Sequence, residues 1–194
     1  MQNAFFMKEA LANLEKNVSF VQLNQKQLKP AVEFTINSIL TQQKKMVVLV
    51  SLTQSGEDIL KTLNKNYSDR ILIVDGFSKK EESYLKNVVQ ISSAADLTSI
   101  QIAIEQAEAN PVYEKVIIID SLNVMSIYNK ENTLGKFLHM FTNKTRLNED
   151  SAIILTIKES TDKEIIDLAK EFSDKAYDYS DMYASTIALA ESNV

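Results

Sequence analysis

Cysteine and tryptophan are both absent from this 194-residue chain. Without cysteine, neither a disulfide nor a thiolate metal site can form. A single histidine, His139, argues against a histidine-based zinc centre. With only three glycines and two prolines, the chain also lacks glycine-rich loops and proline-rich linkers. These absences leave an ordinary globular composition, with no structural metal or covalent cross-link to support the fold.

Long apolar runs and an excess of positive charge are missing too. No run approaches the roughly 20 residues that span a bilayer, and the first residues do not resemble a signal peptide. We therefore expect a cytoplasmic protein without membrane contact. The formal net charge is −5, and acids alternate with lysines along the chain. This distribution argues against nucleic acid as a partner.

Short apolar runs alternate with amphipathic stretches along the chain, which favours a three-layer α/β/α fold with a mostly parallel sheet. The length suits one domain over residues 1–194, with a helix in 1–16 and a helix or tail over 180–194. The predicted strands are Val18–Leu23, Met46–Leu52, Ile71–Asp75, Val88–Ser92, Val116–Asp120, Ala152–Ile157 and Ala176–Tyr179. The predicted helices cover 4–16, 29–43, 55–64, 96–110, 134–147 and 161–172.

Three of the predicted helices begin with recognisable signals. Pro30 suits the first turn of the second helix, because its missing N–H has no partner there in any case. Asp96 is placed to cap the helix that follows it. Residues 160–164, Ser-Thr-Asp-Lys-Glu, form a capping pattern before the last of these helices.

The run Val116–Ile119, followed by Asp120 and Ser121, is the most informative segment of the sequence. Four consecutive branched aliphatic residues indicate a strand covered on both faces. Asp120 falls where that strand leaves the sheet, at the edge where α/β proteins bind ligands. An acid there holds the water shell of Mg²⁺ in nucleotide hydrolases, so Asp120 is the candidate if any metal binds. An acid that only caps the next turn is an equally good interpretation.

A glycine-rich phosphate loop, the usual companion of such an acid, is missing. Residues 24–30 follow the first strand and contain no glycine. Lys29 lies at a plausible distance for a phosphate-binding lysine. However, Leu28 replaces the preceding glycine, and Pro30 offers neither a hydroxyl for Mg²⁺ nor an N–H. The segment predicts solvated loop lysines, with anion contact by Lys29 as the alternative.

Residues 46–60 and 89–121, in this order and spacing, resemble the RecA superfamily and, within it, KaiC-like domains. The likeness extends over residues 17–180 and is greatest to a largely archaeal group of KaiC-like proteins of unassigned role. Those proteins have a Ser-Pro turn near Ala94. Active RecA-type members carry adjacent glutamates after the second strand, whereas this chain has Thr53 and Gln54, and neither is a general base.

The resemblance implies a RecA/KaiC-like sheet that keeps Asp120 and Ser121 but lacks the phosphate loop (Walker A) and the catalytic carboxylates. We therefore expect a catalytically inactive, ATPase-like regulatory or interaction domain, not an enzyme, that needs no cofactor. Its expected partner is another protein: a second copy, or an active ATPase relative that it caps or regulates.

Two alternatives remain open from the sequence. One is a binder of a nucleotide or phosphate-bearing ligand that uses Lys29, Asp120 and Ser121 as a remnant site. The other is a phosphoreceiver-like signalling domain similar to response-regulator receivers, with Asp120 as phosphoacceptor and Thr156 and Lys158 as the switch hydroxyl and phosphate lysine. It is weakened because Gly76 follows Asp75 where a receiver needs a second acid.

Overall fold

The computed structural model describes residues 4–42, 45–63, 65–78, 85–108 and 112–182. Within these ranges, seven strands form one sheet in the order β4-β3-β2-β5-β6-β1-β7, and every pairing is parallel. The strands are β1 (Val18–Leu23), β2 (Met46–Ser51), β3 (Ile71–Asp75), β4 (Val88–Gln90), β5 (Lys115–Asp120), β6 (Ser151–Ile157) and β7 (Lys175–Asp178). All seven predicted strands are confirmed.

Helices cover both faces of the sheet and complete the predicted three-layer α/β/α architecture. They are α1 (Lys8–Ala12), α2 (Gln25–Gln42), α3 (Gly56–Thr62), α4 (Leu97–Glu108), α5 (Leu122–Tyr128), α6 (Glu131–Leu147) and α7 (Lys163–Phe172). Short 3₁₀ turns lie at Phe5–Met7, Lys65–Arg70 and Lys158–Ser160. One apolar core joins α1, α2 and α3 to the sheet, and a second core joins α4 to α7 to the opposite face.

The continuous apolar runs read from the sequence are explained by this double coverage. Every residue of β1, β2, β5 and β6 is buried. In β5, Ile117 and Ile119 belong to the core under α4 to α7, whereas Val116 and Ile118 belong to the core under α1 to α3. Alternate side chains thus fill opposite layers, as the two-residue period of a strand requires.

The start of α2 differs from the prediction. The helix begins at Gln25 rather than Lys29, so Pro30 lies inside it and not in its first turn. The earlier start is fixed by Asn24, whose side-chain oxygen accepts hydrogen bonds from the backbone N–H groups of Lys26 and Gln27 (3.0 and 3.1 Å). A good N-cap therefore defines this helix more strongly than the proline preference does.

Other helix predictions also need correction. Residues 4–16 hold a 3₁₀ turn and a five-residue helix in place of one continuous helix. The segment α5 was not predicted, and its seven residues are too few to show a clear helical period. Asp162 precedes α7 but makes no side-chain capping bond, so the predicted capping pattern is wrong. Residues 183–194 lie outside the described residues, and the assignment of 1–194 to one domain stays a prediction.

Chain direction opens two crevices at the carboxyl edge of the sheet. β1 and β2 lead into α2 and α3 on one face, whereas β5 and β6 lead towards α5 and α7 on the other face. β2 is the neighbour of β5, and β6 is the neighbour of β1. Adjacent strands whose connections leave to opposite faces create the positions where open α/β sheets bind ligands.

Candidate functional site

Asp120 closes the first crevice, between β2 and β5. Its side chain is fully buried, and the hydroxyl of Thr53 donates a 2.6 Å hydrogen bond to Oδ2. The other oxygen, Oδ1, accepts no hydrogen bond from the described part of the chain. Burial raises the pKa of Asp120 from 3.8 to about 6, and the Thr53 bond opposes this rise only in part. Asp120 is therefore a poorly solvated acid that keeps its proton up to mildly acidic pH.

Ser121, the neighbour of Asp120, is buried and serves the structure. Its hydroxyl donates a 2.6 Å hydrogen bond to the side-chain oxygen of Asn123. The same oxygen of Asn123 accepts a 3.3 Å bond from the backbone N–H of Ile157. Asn123 thus links the first turn of α5 to the end of β6. The role of Asn123 was not predicted from the sequence, because its partner on β6 is distant in the chain.

Asp75 ends β3 and is a second buried acid at the same edge. Its two oxygens accept bonds from the backbone N–H groups of Gly56, Phe77 and Ser78 and from the Ser78 hydroxyl, all at 2.8 to 2.9 Å. Asp75 and Asp120 both pair in register with Ser51, from opposite sides. Two strand spacings, about 9 to 10 Å of backbone, therefore separate them. Within the described ranges, no cluster of three or more His, Cys, Asp or Glu is placed to hold a metal ion.

Lys29 lies away from these acids, on the exposed side of α2. Its ammonium group is 4.0 Å from Glu33 Oε1, and its side chain is 68% exposed. It lines a shallow groove between α2 and α3 that also includes Gln54 and Asp58. Among the described residues, no hydrogen bond or ion pair joins Lys29 to Asp120. The structure thus places Thr53 beside Asp120 and puts Gln54 and Lys29 in a separate groove.

The second crevice, between β6 and β1, contains the turn where a phosphate loop would lie. Asn24 and Gln27 form a capping box there, because Gln27 Oε1 also accepts a 2.8 Å bond from the backbone N–H of Asn24. The two side-chain amides then donate to backbone carbonyls after β7: Gln27 Nε2 to Tyr179 (2.8 Å) and Asn24 Nδ2 to Ser180 (2.7 Å). The backbone N–H groups of Asn24, Lys26 and Gln27 and both side-chain amides are therefore hydrogen-bonded within the chain.

The roles of Asn24 and Gln27 were not predicted from the sequence either, although a signal was present. Asn followed three residues later by Gln is a helix-start signature. The preference of Pro30 for a first turn drew the predicted start four residues too far along the chain. The contacts with Tyr179 and Ser180 could not be found in this way, because they join segments more than 150 residues apart.

The residues proposed for a receiver-like site are engaged in other contacts. The Thr156 hydroxyl lies 2.7 Å from that of Thr161, and Lys158 forms a 2.7 Å ion pair with Asp178. β2 also separates β3 from β5, whereas the receiver fold places the corresponding strands side by side. The strand order therefore argues against the receiver interpretation.

Within the described ranges, no helix is both long enough and apolar enough to cross a bilayer.

Comparisons with known proteins agree with this geometry. Residues 36–168, more than half of the chain, match the family model described as Elongator subunit Iki1. A solved structure of a KaiC-like protein from the hyperthermophilic archaeon Pyrococcus horikoshii OT3 superposes with a TM-score of 0.64 at 14% identity, over 84% of this chain and 73% of that one. No curated protein sequence matches. The predicted likeness to KaiC-like, RecA-type domains is confirmed at the level of the fold.

Proposed function

The chain belongs to the Elongator subunit Iki1 family, and from this membership we propose that it is a non-catalytic RecA-like subunit that acts through contacts with other protein chains. The name of the family describes a subunit, and a subunit works in an assembly. The fold supplies a rigid sheet with helices on both faces. Two features of the chain, its β1–α2 turn and the placement of its acids, would keep this member from binding and hydrolysing nucleotide.

The β1–α2 turn carries this proposal. A phosphate loop works because several backbone N–H groups point to the phosphates at once. In this turn the N–H groups of Asn24, Lys26 and Gln27 donate to side-chain oxygens of the turn itself. A triphosphate would have to break these bonds before it gained any of its own. Moreover, the turn contains no glycine that would let the backbone curl around a phosphate.

Catalytic groups are also poorly placed for hydrolysis. A general base must reach the attacking water, directly or through one further water. Asp120 is fully buried and bonded to Thr53, and the residues in the position of the catalytic glutamates are Thr53 and Gln54. Loss of a general base alone typically lowers a rate by about 10²- to 10⁴-fold. The arrangement therefore supports a subunit that does not turn over ATP.

Two adjacent apolar side chains support the second half of the proposal, action through protein contacts. Ile127 is 71% exposed and Tyr128 is 60% exposed, and both lie at the end of α5. Exposed apolar residues are common singly, but neighbouring aliphatic and aromatic side chains are enriched where proteins bind one another. We assign the end of α5 to a contact with another subunit.

Isothermal titration with ATP and Mg²⁺, together with a phosphate-release assay, tests the proposal. We expect no binding heat at millimolar ATP and no release of phosphate above the buffer rate. Micromolar binding accompanied by turnover would overturn it. Binding without turnover would instead favour the competing hypothesis of a ligand-responsive protein that uses Lys29, Asp120 and Ser121. In that case Lys29→Ala should weaken binding, whereas the neighbouring exposed Lys26→Ala should not.

A further inference from the structure

The strand β7 forms one edge of the sheet and is exposed along its length. Three of its four residues are exposed and the fourth, Tyr177, is half-buried, whereas every residue of the neighbouring β1 is buried. In the described part of the chain, no strand pairs with the outer edge of β7. We propose that this edge pairs antiparallel with β7 of a second copy of the chain, in a register centred on Tyr177. The inference rests on the proposed function, action through protein contacts, and specifies one partner.

The backbone of β7 directs the polar groups of two residues to this outer edge. Gln22 pairs in register with Asp178, and the carbonyl of Gln22 accepts its 2.9 Å hydrogen bond from the N–H of the following residue, Tyr179. In a parallel pair, this pattern turns the N–H and C=O of the opposite residue, Asp178, away from the partner strand. Because the pattern repeats every second residue, the N–H and C=O of Ala176 point the same way. The outer edge therefore offers donors and acceptors to another strand.

Backbone geometry and charge together favour one register. Two antiparallel strands exchange hydrogen bonds only where outward-pointing residues face each other. Ala176 opposite its own equivalent would bring Asp174 opposite Asp178, and Asp178 opposite its own equivalent would bring two carboxylates together. Like charges directly opposite each other are destabilising. Ala176 opposite Asp178 avoids both juxtapositions, forms paired backbone hydrogen bonds on either side of the centre, and places Tyr177 opposite Tyr177.

Side chains in the centred register also complement one another. Tyr177 and Tyr179 already stack, with ring centroids 5.7 Å apart. Tyr177 would face its equivalent at a non-hydrogen-bonded position, where side chains approach more closely, so the stack would continue into the second copy. Lys175 would lie opposite Tyr179 of the second copy, a favourable place for a cation beside aromatic rings. Four residues on each side make a small interface, so we expect a reversible dimer that depends on concentration.

The absence of cysteine from the chain allows a direct test of the register. In Tyr177→Cys, the new thiols would lie at a cross-strand position with Cα atoms about 4.5 Å apart, within the range of a disulfide. Lys175→Cys is the matched control, because Lys175 is exposed on the same face of β7 but would lie about 14 Å from its equivalent. After mild oxidation, we expect a disulfide-linked dimer of Tyr177→Cys on a non-reducing gel, and roughly tenfold less of it for Lys175→Cys.

Analytical ultracentrifugation from micromolar to millimolar protein measures the dimer without a cross-link. Ala176→Pro removes an outward N–H and leaves the bonds to β1 in place, since proline is tolerated on edge strands. Ala176→Val keeps that N–H and is the control, and circular dichroism establishes that both variants fold. We expect the native chain and Ala176→Val to form the dimer, and the dissociation constant of Ala176→Pro to rise by roughly tenfold or more.

Several outcomes would overturn the proposal. One is a native chain that is monomeric at every concentration, the result expected if a different protein or another segment of this chain covers the β7 edge. The others are equal cross-linking of the two cysteine variants and an unweakened dimer of folded Ala176→Pro. If Ala176→Pro does not fold, the cysteine variants decide. Failure of the proposed function is distinguishable from all of these, because it requires ATP turnover by the native chain.

Discussion

The buried carboxyl of Asp120 should make the stability of this protein depend on pH in an unusual direction. Its pKa is about 6 in the folded chain against 3.8 ordinarily, so the folded state holds the proton more tightly than the unfolded state does. Between these two values, folding stability falls as pH rises. The difference of about 2 pKa units corresponds to about 3 kcal/mol at 1.36 kcal/mol per unit. Most exposed acids either make folding stability rise with pH over this range or leave it unchanged.

Asp120→Asn removes the titration while keeping the shape of the side chain. The amide oxygen can still accept the Thr53 hydrogen bond. The new NH₂ group replaces an oxygen that has no partner among the described residues, which costs about 1 to 3 kcal/mol at every pH. The absolute stability of the variant is therefore a poor test. The pH dependence of its stability is a good test, because the variant shares every other ionisable group with the native chain.

Urea unfolding of both proteins from pH 4 to 7.5 measures this difference. We expect the stability of Asp120→Asn relative to the native chain to rise by about 2.4 kcal/mol between pH 4 and 7, with most of the rise before pH 6. Thr53→Val is a useful companion. It removes the one hydrogen bond that favours the ionised carboxyl, so the pKa of Asp120 should rise and the transition should move to higher pH. A relative stability that is flat across this range would refute the reasoning.

Two further predictions concern the other buried acid and the proposed contact surface. Asp75→Asn should destabilise the fold by about 3 kcal/mol at pH 7, measured by the same urea unfolding, because one amide oxygen cannot accept the four bonds that Asp75 accepts; a change below about 1 kcal/mol would contradict this account. At the end of α5, amide hydrogen exchange at Ile127 and Tyr128 should slow when the chain joins its assembly. Equal exchange in the free and assembled states would exclude this surface.

The layered fold was predictable because burial on both faces leaves a direct mark on the sequence. The run Val116–Ile119 has no polar position, and the structure places alternate residues of it in two different cores. Helix ends were predicted less well. At α2, the preference of Pro30 competed with the Asn24–Gln27 capping box, and the box prevailed. Short α5 has too few residues for a periodic signal.

The candidate site was predictable only in its residue types, because strand order decides which residues meet. Thr53 contacts Asp120 since β2 and β5 are neighbours, although 67 residues separate the two in the chain. Tyr179 contacts Gln27 since β7 lies beside β1. Nothing in local composition specifies either neighbour. Sequence periodicity therefore gives the elements, whereas the contacts of a site depend on a topology that periodicity does not encode.

Asp75 and Asp120 show how little residue identity determines role at this edge. Both end buried parallel strands, and both pair in register with Ser51. Asp75 accepts four hydrogen bonds, three from Phe77 and Ser78 after β3 and one from the backbone N–H of Gly56, so both of its oxygens are satisfied and it organises a turn. From the described residues, Asp120 accepts a single hydrogen bond, from Thr53, and its other oxygen has no donor among them. The first arrangement stabilises the fold. In the second, the rest of the fold must offset the free-energy cost of burying a carboxylate. At this edge of the sheet, the role of a strand-end acid is therefore decided by the donors that neighbouring segments supply, and not by the acid itself.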